Sequence, residues 1–426
     1  MLVYHTLHLT VRMIHPLCKR GWMRVFSTAL CLMLGSEIIT ARCNAGIQDA
    51  HFSGGDYVEV KFYSASLTLP LIPDMATLMS SEIDEAVFRR MYSHFESREY
   101  HPFLKKIGDY RRGMSLSDWH FYDILADYSE QAFPSEGRNF QVLFQWFVLR
   151  KSGIDARPFR VSSTLYLNVL NEDIEFGFYL INQGGRTYAN LTARREGLKM
   201  DNLQAAVPEY IPDMATMPFS MQMTQLPHLP SVNSVERLME FRHRGEAYRI
   251  TVFLNEVALQ VMDEYPYYSQ RSYFDVGMSR EAECSLLPAL QGLMNGRTEE
   301  EKVKILLSFT RTAFFYKDDC GQFGKEKPLM PEETLYHTYS DCEDRSALFF
   351  YLCRKLIGLP EIVLDFDTHI GCAVVLEGVT GEGYDYKNRR FVYCEPTGPQ
   401  DSLEPGEMWD KFRSQHARIL AEYIPE

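Results

Sequence analysis

The sequence predicts an α+β protein that is built from two related units. Segments with helical periodicity, such as residues 118–131 and 280–294, alternate with segments of strand periodicity, such as residues 57–71. In addition, residues 135–192 align with residues 340–397 at a constant offset of 205 and without gaps. We therefore expect each unit to be a helical part packed on an antiparallel sheet.

The alignment indicates an internal duplication. The apolar helical run, the glycine that ends it and a Tyr-x-x-x-Thr strand exit coincide in the two segments. The alternative is a coincidence between two ordinary helix–strand units. The identical pairs are Ser135/Ser340, Leu143/Leu348, Phe144/Phe349, Gly153/Gly358, Val169/Val374, Glu172/Glu377, Tyr179/Tyr384, Tyr188/Tyr393 and Thr192/Thr397.

Cys342 is predicted to lie at the N-terminus of a helix. It follows Asp341 and precedes an apolar run that ends at Gly358, a residue typical of helix C-termini. The free N–H groups and the dipole of a helix N-terminus stabilise a thiolate, whereas the acidic neighbours Glu343 and Asp344 oppose this. We therefore expect a base close to Cys342.

His369 and Glu395 are the predicted base and acid. His369 begins an apolar strand, Glu395 lies at the end of the next one, and the polar residues 377–390 should return like a hairpin between them. In this order Cys342 attacks an amide, His369 accepts the thiol proton and Glu395 orients the imidazole. Singly, each residue also fits a packed cysteine, a satisfied histidine or an ordinary strand exit.

The motifs around these residues resemble the transglutaminase-like branch of the papain-like cysteine enzymes. They are Asp-Cys-Glu-Asp before an apolar helix, Thr-His-x-Gly-x-Ala-Val on a strand and Glu-Pro-Thr after the next strand. The resemblance covers residues 300–400, with a degenerate second copy at about residues 100–195. Glu395 stands where the family more often has Asp, and Ser340 where Gly often precedes the Asp-Cys pair.

The resemblance implies tandem transglutaminase-like modules and acyl transfer through a thioester. We expect hydrolysis of amide or peptide bonds rather than transfer to an amine, in a cysteine peptidase or amidase. The alternative is a catalytically silent binding or scaffold protein of the same type.

Tyr336 is a candidate oxyanion donor beside the N–H of Cys342, because it precedes Cys342 by six residues and follows an insertion at residues 315–335. A tyrosine of the core or the rim is the other interpretation. The chain has no Cys-x-x-Cys pair, which argues against a zinc ribbon and against a thioredoxin-type site. We predict neither a cofactor nor a metal ion.

The predicted organisation is a leader at residues 1–45, a degenerate module at 46–206, a Met- and Pro-rich linker at 207–247 and a catalytic module at 248–426. In the gap-free alignment Gly137, Thr164 and Asn190 take the positions of the cysteine, the histidine and the acid. The first module should therefore be chemically silent.

Residues 23–46 have the basic start, apolar centre and small cleavage-site residue of a secretory signal, with Met23 or Met13 as the true start. A membrane anchor is the competing interpretation. However, residues 25–40 contain Glu37 and are shorter than the roughly 20 residues of a span. We expect export to the periplasm, the cell surface or the medium, without a membrane span after cleavage.

The negative net charge of the chain limits the kinds of partner that it can bind. The formal net charge is −13, and it becomes −17 when the leader, with five basic residues and one acidic residue, is removed. Without basic clusters such a chain is a poor ligand for nucleic acid or anionic lipid. We expect a protein or peptide substrate, and the sequence indicates no oligomeric state.

Six cysteines follow the leader, and all lie in the C-terminal half. An oxidising compartment would permit disulfides, although spacing assigns none. Cys372 and Cys394, on the two adjacent predicted strands, could form a disulfide or simply pack. The six are Cys284, Cys320, Cys342, Cys353, Cys372 and Cys394.

Overall fold

The protein has a mixed α+β fold, as the sequence predicted. The computed structural model describes residues 12–13, 57–77, 83–200, 205–398 and 403–425. Helices pack on several sheets, and the two largest sheets are antiparallel. Apart from residues 12–13, the predicted leader lies outside the described residues. Within them, no helix combines the length and the apolar character needed to cross a bilayer.

The N-terminal half contains eight strands and five helices within the described residues. The strands are β1 (Arg12–Met13), β2 (Tyr57–Phe62), β3 (Ala65–Pro70), β4 (Ala156–Val161), β5 (Thr164–Leu170), β6 (Tyr179–Gln183), β7 (Arg186–Asn190) and β8 (Ala205–Ala206). The helices are α1 (Glu85–Glu96), α2 (His101–Gly113), α3 (Asp118–Ala132), α4 (Arg138–Lys151) and α5 (Leu191–Glu196).

The C-terminal half contains nine strands and eight helices within the described residues. The strands are β9 (Ser234–His243), β10 (Glu246–Asn255), β11 (Phe315–Tyr316), β12 (Tyr339–Ser340), β13 (Glu361–Phe366), β14 (His369–Val374), β15 (Gly383–Tyr386), β16 (Arg389–Cys394) and β17 (Arg418–Tyr423). The helices are α6 (Glu256–Glu264), α7 (Ser272–Asp275), α8 (Arg280–Met294), α9 (Glu299–Thr312), α10 (Asp319–Phe323), α11 (Pro331–Tyr336), α12 (Cys342–Leu356) and α13 (Asp410–Arg413).

The two large sheets repeat the same strand order. The first runs β1-β6-β7-β5-β4-β8 and the second β15-β16-β14-β13-β17. In each sheet, a helix is followed by two antiparallel strands, β4–β5 or β13–β14. A hairpin follows, β6–β7 or β15–β16, and its second strand is hydrogen-bonded to β5 or β14. Each sheet is also preceded by a long hairpin, β2–β3 or β9–β10.

The sheet registers correct the gap-free alignment. Pairing in β4–β5 matches pairing in β13–β14 at an offset of 205, since Ala156 faces Val169 and Glu361 faces Val374. The hairpins match only at an offset of 203, because Gln183 faces Arg186 where Tyr386 faces Arg389. Two extra residues therefore lie between β5 and β6 of the first sheet, in comparison with β14 and β15 of the second.

This shift changes the residue that corresponds to the acid. Asn190 corresponds to Tyr393, and the position of Glu395 is taken by Thr192. The prediction for Asn190 was therefore wrong, and its side chain instead caps α5 through the Ala193 N–H.

Two predicted connections contain strands. The linker predicted at 207–247 contains β9. The connection at residues 377–390 contains β15 in addition to a two-residue turn.

The C-terminal sheet is buried on both faces, and this positions the candidate site. Cys372 Sγ contacts the carbonyl of Ser346 on α12, so alternate residues of β14 face that helix. The opposite face packs against Met408 and Phe412, and it carries Tyr393. Every residue of β13 and β14 is buried.

Candidate active site

Cys342 is the first residue of α12, as its sequence context predicted. The side chain of Asp341 caps the helix, and Asp344 returns a hydrogen bond to the Asp341 N–H, which completes a capping box. These bonds fix the first turn of the helix and thereby the position of the thiol.

The thiol of Cys342 is buried and bonded to a neighbouring carboxylate. Cys342 is 1% exposed, and its Sγ donates to Glu343 Oε2 at 2.7 Å. Among the described residues, no hydrogen bond joins the His369 ring to this thiol. In enzymes without substrate, catalytic hydrogen bonds are often absent or long.

His369 and Glu395 form a buried pair. His369 Nε2 lies 2.8 Å from Glu395 Oε2, and both side chains are less than a tenth exposed. As predicted, they lie on neighbouring antiparallel strands, Glu395 one residue beyond the end of β16. Burial raises the pKa of Glu395, but His369 and the hydrogen bonds lower it more, so that the net pKa is below the usual value.

Two further donors hold the Glu395 carboxylate. The hydroxyl of Tyr393 donates to Oε2 at 2.6 Å, and the N–H of Thr397 donates to Oε1 at 2.9 Å. Gly371, the glycine of the Thr-His-x-Gly motif, leaves room for the Tyr393 hydroxyl. The lone pairs of a fully buried carboxylate are therefore well satisfied.

Contacts of α12 place Cys342 level with His369. Cys353 lies beside Glu361, which pairs with Val374, and Ser346 Oγ donates to the carbonyl of Ile370. The helix therefore runs alongside β14 in the same direction. Cys342 is one turn, about 5.4 Å, before Ser346. The first turn of α12 therefore lies near the start of β14, where His369 stands, and the His369 side chain lies on the face of the sheet that packs against Phe412.

Arg345 fixes the helix to the strand that carries the acid. Its Nη1 donates to the carbonyls of Arg311 and Thr397, and its Nη2 to that of Phe314. The side chain is 2% exposed. The guanidinium thus connects the Cys342 helix to a residue two positions beyond Glu395.

Aromatic rings and a cavity adjoin the imidazole. The Phe412 ring stacks on His369 with centroids 4.5 Å apart and planes 5° apart, and Trp409 lies 6.1 Å away. A cavity of about 670 Å³ opens here and reaches Arg345. Its size falls in the range of ligand sites, about 300–1,000 Å³.

Tyr336 is the last residue of α11 and is 43% exposed. Its ring contacts His337, and within the described part of the chain no hydrogen bond joins its hydroxyl to Cys342. The structure therefore does not bring Tyr336 together with the other predicted site residues.

Acidic side chains cluster around the start of α12. The ligand atoms of Asp319, Asp341 and Asp344 lie within 4.8 Å of one another, and so do those of Asp341, Cys342 and Glu343. Either group is compact enough to hold a metal ion. Burial and the neighbouring carboxyls raise the pKa of Asp341 and Asp344 well above the usual value. The expectation that the site needs no metal remains a prediction.

The six cysteines of the described chain form no disulfide with one another. Cys284 and Cys320 are exposed, and the other four are buried. Cys372 and Cys394 stand directly opposite each other on β14 and β16, as expected for adjacent strands. Their thiols pack in the core of the sheet.

Sequence reasoning missed Arg345 and Tyr393, and it named Glu343 only as a charge that opposes the thiolate. Tyr393 could have been found, because it lies two residues before Glu395 and shares its face of the strand. Arg345 carries no such signal, since charged residues in a first helical turn are usually solvent-exposed.

Comparison with known proteins adds no relative. No protein-family model matches the chain. Neither a curated protein nor a solved structure matches it. The resemblance to transglutaminase-like enzymes is therefore one of motifs.

Proposed function

We propose that the protein is a cysteine-dependent acyl-transfer enzyme of the transglutaminase-like type, which hydrolyses amide or peptide bonds through a thioester. The observation that carries this proposal is the buried pair of His369 and Glu395, together with a cysteine at the N-terminus of α12. A carboxylate fixed to one imidazole nitrogen leaves the other nitrogen to act as a base.

In the proposed mechanism, His369 Nε2 donates to Glu395, so that Nδ1 accepts the proton of the Cys342 thiol. The thiolate attacks the amide carbon, and the oxyanion is stabilised by N–H groups at the start of α12, that of Cys342 first. The C–N bond breaks as His369 returns the proton to the leaving amine. Water, activated by His369, then cleaves the thioester.

Attack requires that the thiol leave the Glu343 carboxylate. A rotation about the χ1 angle of Cys342 would release the thiol, since the side chain has three staggered positions. Arg345 lines the cavity beside His369 and Cys342 does not, so the released sulfur must also reach this cavity to meet the substrate.

The repeated strand order supports two modules, of which only the second is active. Gly137, Thr164 and Thr192 take the positions of Cys342, His369 and Glu395 in the first module. None of these residues supplies a thiol, an imidazole or a carboxylate. We propose that the first module is a support for the second, and that the chain is exported.

A silent binding or scaffold protein is the second candidate. The observation that favours it is the thiol itself, which is 1% exposed and hydrogen-bonded to Glu343. A protein of this kind would bind peptides in the same cavity without turnover.

Trapping the acyl intermediate tests the proposal. The full chain is mixed with a peptide library, quenched in acid and analysed by mass spectrometry for a hydroxylamine-sensitive acyl group. We expect the adduct on Cys342, its loss in Cys342→Ala and its retention in Cys320→Ala, which removes an exposed thiol. Peptide turnover that survives in Cys342→Ala would exclude the mechanism, and peptide binding without any turnover would favour the scaffold.

A further inference from the structure

The cavity beside His369 is lined by basic side chains in an otherwise acidic protein. Arg311, Arg345 and Lys411 line it together with His369, whereas the chain as a whole carries a net charge of −13. Among the described residues that line this cavity there is no carboxylate. The local charge is therefore opposite to that of the whole chain.

Both arginines already donate hydrogen bonds within the protein. Arg311 Nε donates to the carbonyl of Glu395 at 2.7 Å and its Nη2 to that of Leu403 at 2.8 Å. Every nitrogen of the Arg345 guanidinium has an acceptor in the protein. The hydrogen-bond acceptors of both guanidinium groups are neutral, so these groups contribute positive charge to the cavity, although the nearby Glu395 carboxylate offsets part of the charge of Arg311.

Lys411 is different, because it is exposed and has no carboxylate partner within the described residues. Its Nζ lies 4.6 Å from the centre of the Phe412 ring and 5.0 Å from that of Trp409. These are the rings that pack against His369. The ammonium group thus lies at the aromatic wall of the cavity, ready for an anionic ligand.

We propose that this cavity selects acidic peptides, with an Asp or Glu side chain next to the scissile amide held by Lys411. The inference rests on the proposed function, whose substrate class it specifies. The aromatic wall, which includes Phe314 and Trp409, would pack against the apolar parts of the same peptide. The two arginines would add long-range attraction, and Lys411 would make the direct contact.

A matched pair of peptides tests this selectivity. The two peptides are identical except for Glu or Gln next to the scissile bond, and cleavage by the full chain is measured at low and high ionic strength. We expect kcat/KM to be at least about tenfold higher for the Glu peptide, and the difference to shrink in high salt. Lys411→Glu should abolish the preference, and Lys411→Arg should retain it.

The control is Lys105→Glu, the same charge reversal at an exposed lysine on α2, which should leave the preference unchanged. Equal cleavage of the two peptides, or a preference that is indifferent to Lys411→Glu, would overturn the inference while the proposed function stands.

Binding provides a readout that does not depend on turnover. Fluorescence anisotropy with Cys342→Ala should show tighter binding of the Glu peptide, and Cys342→Ala/Lys411→Glu should lose this difference. If neither peptide is cleaved but the preference in binding remains, the proposed function fails and the acidic-peptide site stands. Equal binding of both peptides overturns the site.

Discussion

A methyl group at Gly371 would stand 2.8 Å from the hydroxyl oxygen of Tyr393. That hydroxyl donates to the carboxylate of Glu395, which in turn holds His369. The glycine of the Thr-His-x-Gly motif therefore has a physical role, because only a residue without a side chain leaves room for this network.

Gly371→Ala should disturb the network by steric overlap. We expect a loss of stability of about 1–3 kcal/mol, typical of overpacked cores, and a fall in kcat from the displaced Tyr393. Urea unfolding and peptide kinetics measure the two effects. In a double-mutant cycle, Tyr393→Phe should recover part of the lost stability, because it removes the oxygen that the methyl group meets.

The matched control for Gly371 is Gly292→Ala on α8, where an added methyl group has no neighbour within 4 Å. That change should be neutral or stabilising, since alanine favours helices. Equal effects of the two substitutions would show that the contact between the added methyl group and Tyr393 does not cause the loss of stability.

Glu395→Gln should preserve the fold and reduce turnover. The amide keeps the size of the side chain, but its NH₂ group facing His369 favours the tautomer with the proton on Nδ1. That tautomer cannot accept the thiol proton. In the serine-protease triad the corresponding change lowers kcat by about 10⁴-fold, and for the longer Glu395 side chain we expect a loss of roughly ten- to a thousandfold.

Circular dichroism should show that Glu395→Gln is folded and that its melting temperature is within a few degrees of that of the unmodified chain. Glu246→Gln, at an exposed residue of β10, serves as the reference and should leave kcat unchanged. A folded Glu395→Gln with normal kcat would leave a mechanism of Cys342 and His369 alone.

Alkylation of the thiols should follow exposure. In the unmodified chain, iodoacetamide should label Cys284 and Cys320 before Cys342, because the thiol of Cys342 is buried. In a Cys284→Ser/Cys320→Ser background, Glu343→Gln should accelerate labelling of Cys342, since it removes the negative charge that opposes the thiolate. Peptide mapping by mass spectrometry identifies the labelled residue.

His369→Ala in the same background should slow the labelling of Cys342. Asp318→Asn, which alters a carboxylate that caps α10 instead, is the reference for Glu343→Gln. If Cys342 is labelled at the same rate in Glu343→Gln and in Asp318→Asn, the carboxylate of Glu343 does not control the reactivity of the thiol.

Stability should depend on the ionisation of Glu361. Its carboxyl oxygens are buried without a hydrogen bond of ordinary geometry among the described residues. Burial raises the pKa well above the usual 4.5, although Cys353 and Arg354 oppose the shift. The folded chain therefore keeps a proton that the unfolded chain loses above pH 4.5. This group makes stability fall as the pH rises from there to the folded pKa, by up to about 1.4 kcal/mol per pH unit.

Glu361→Gln removes that dependence, so the stability of this variant relative to the unmodified chain should increase as the pH rises above 4.5 in urea unfolding. Glu422→Gln should show the opposite sign, because a hydrogen bond from Lys387 lowers the pKa of Glu422 from the usual 4.5. The stabilising effect of Glu422 is present above that value and is lost as the pH falls. Parallel pH profiles for Glu361→Gln and the unmodified chain would contradict the assignment.

The sequence predicted elements whose signals are local. Ser279 caps α8, and the helical periodicity of residues 280–294 predicted the position of this helix. By contrast, the two-residue shift of the hairpin and the position of β9 depend on pairing between distant segments. No local pattern encodes that pairing.

The same distinction applies to the candidate site. The sequence indicated that His369 and Glu395 meet on neighbouring strands and that Cys342 begins a helix. The rotamer that turns the thiol toward Glu343 is set by packing in three dimensions. The ring of Phe412 reaches His369 from 43 residues further along the chain, and no spacing rule connects them.

The contact between the Cys342 thiol and the carboxylate of Glu343 has a consequence for the resistance of this thiol to oxidation. Oxidants and stray disulfides react with accessible thiolates, and a protonated sulfur enclosed by protein reacts slowly. In the resting chain the thiol is therefore protected. In the exported enzyme that we propose, substrate would expose the thiol only at the moment of use, and this would limit inactivation in an oxidising medium.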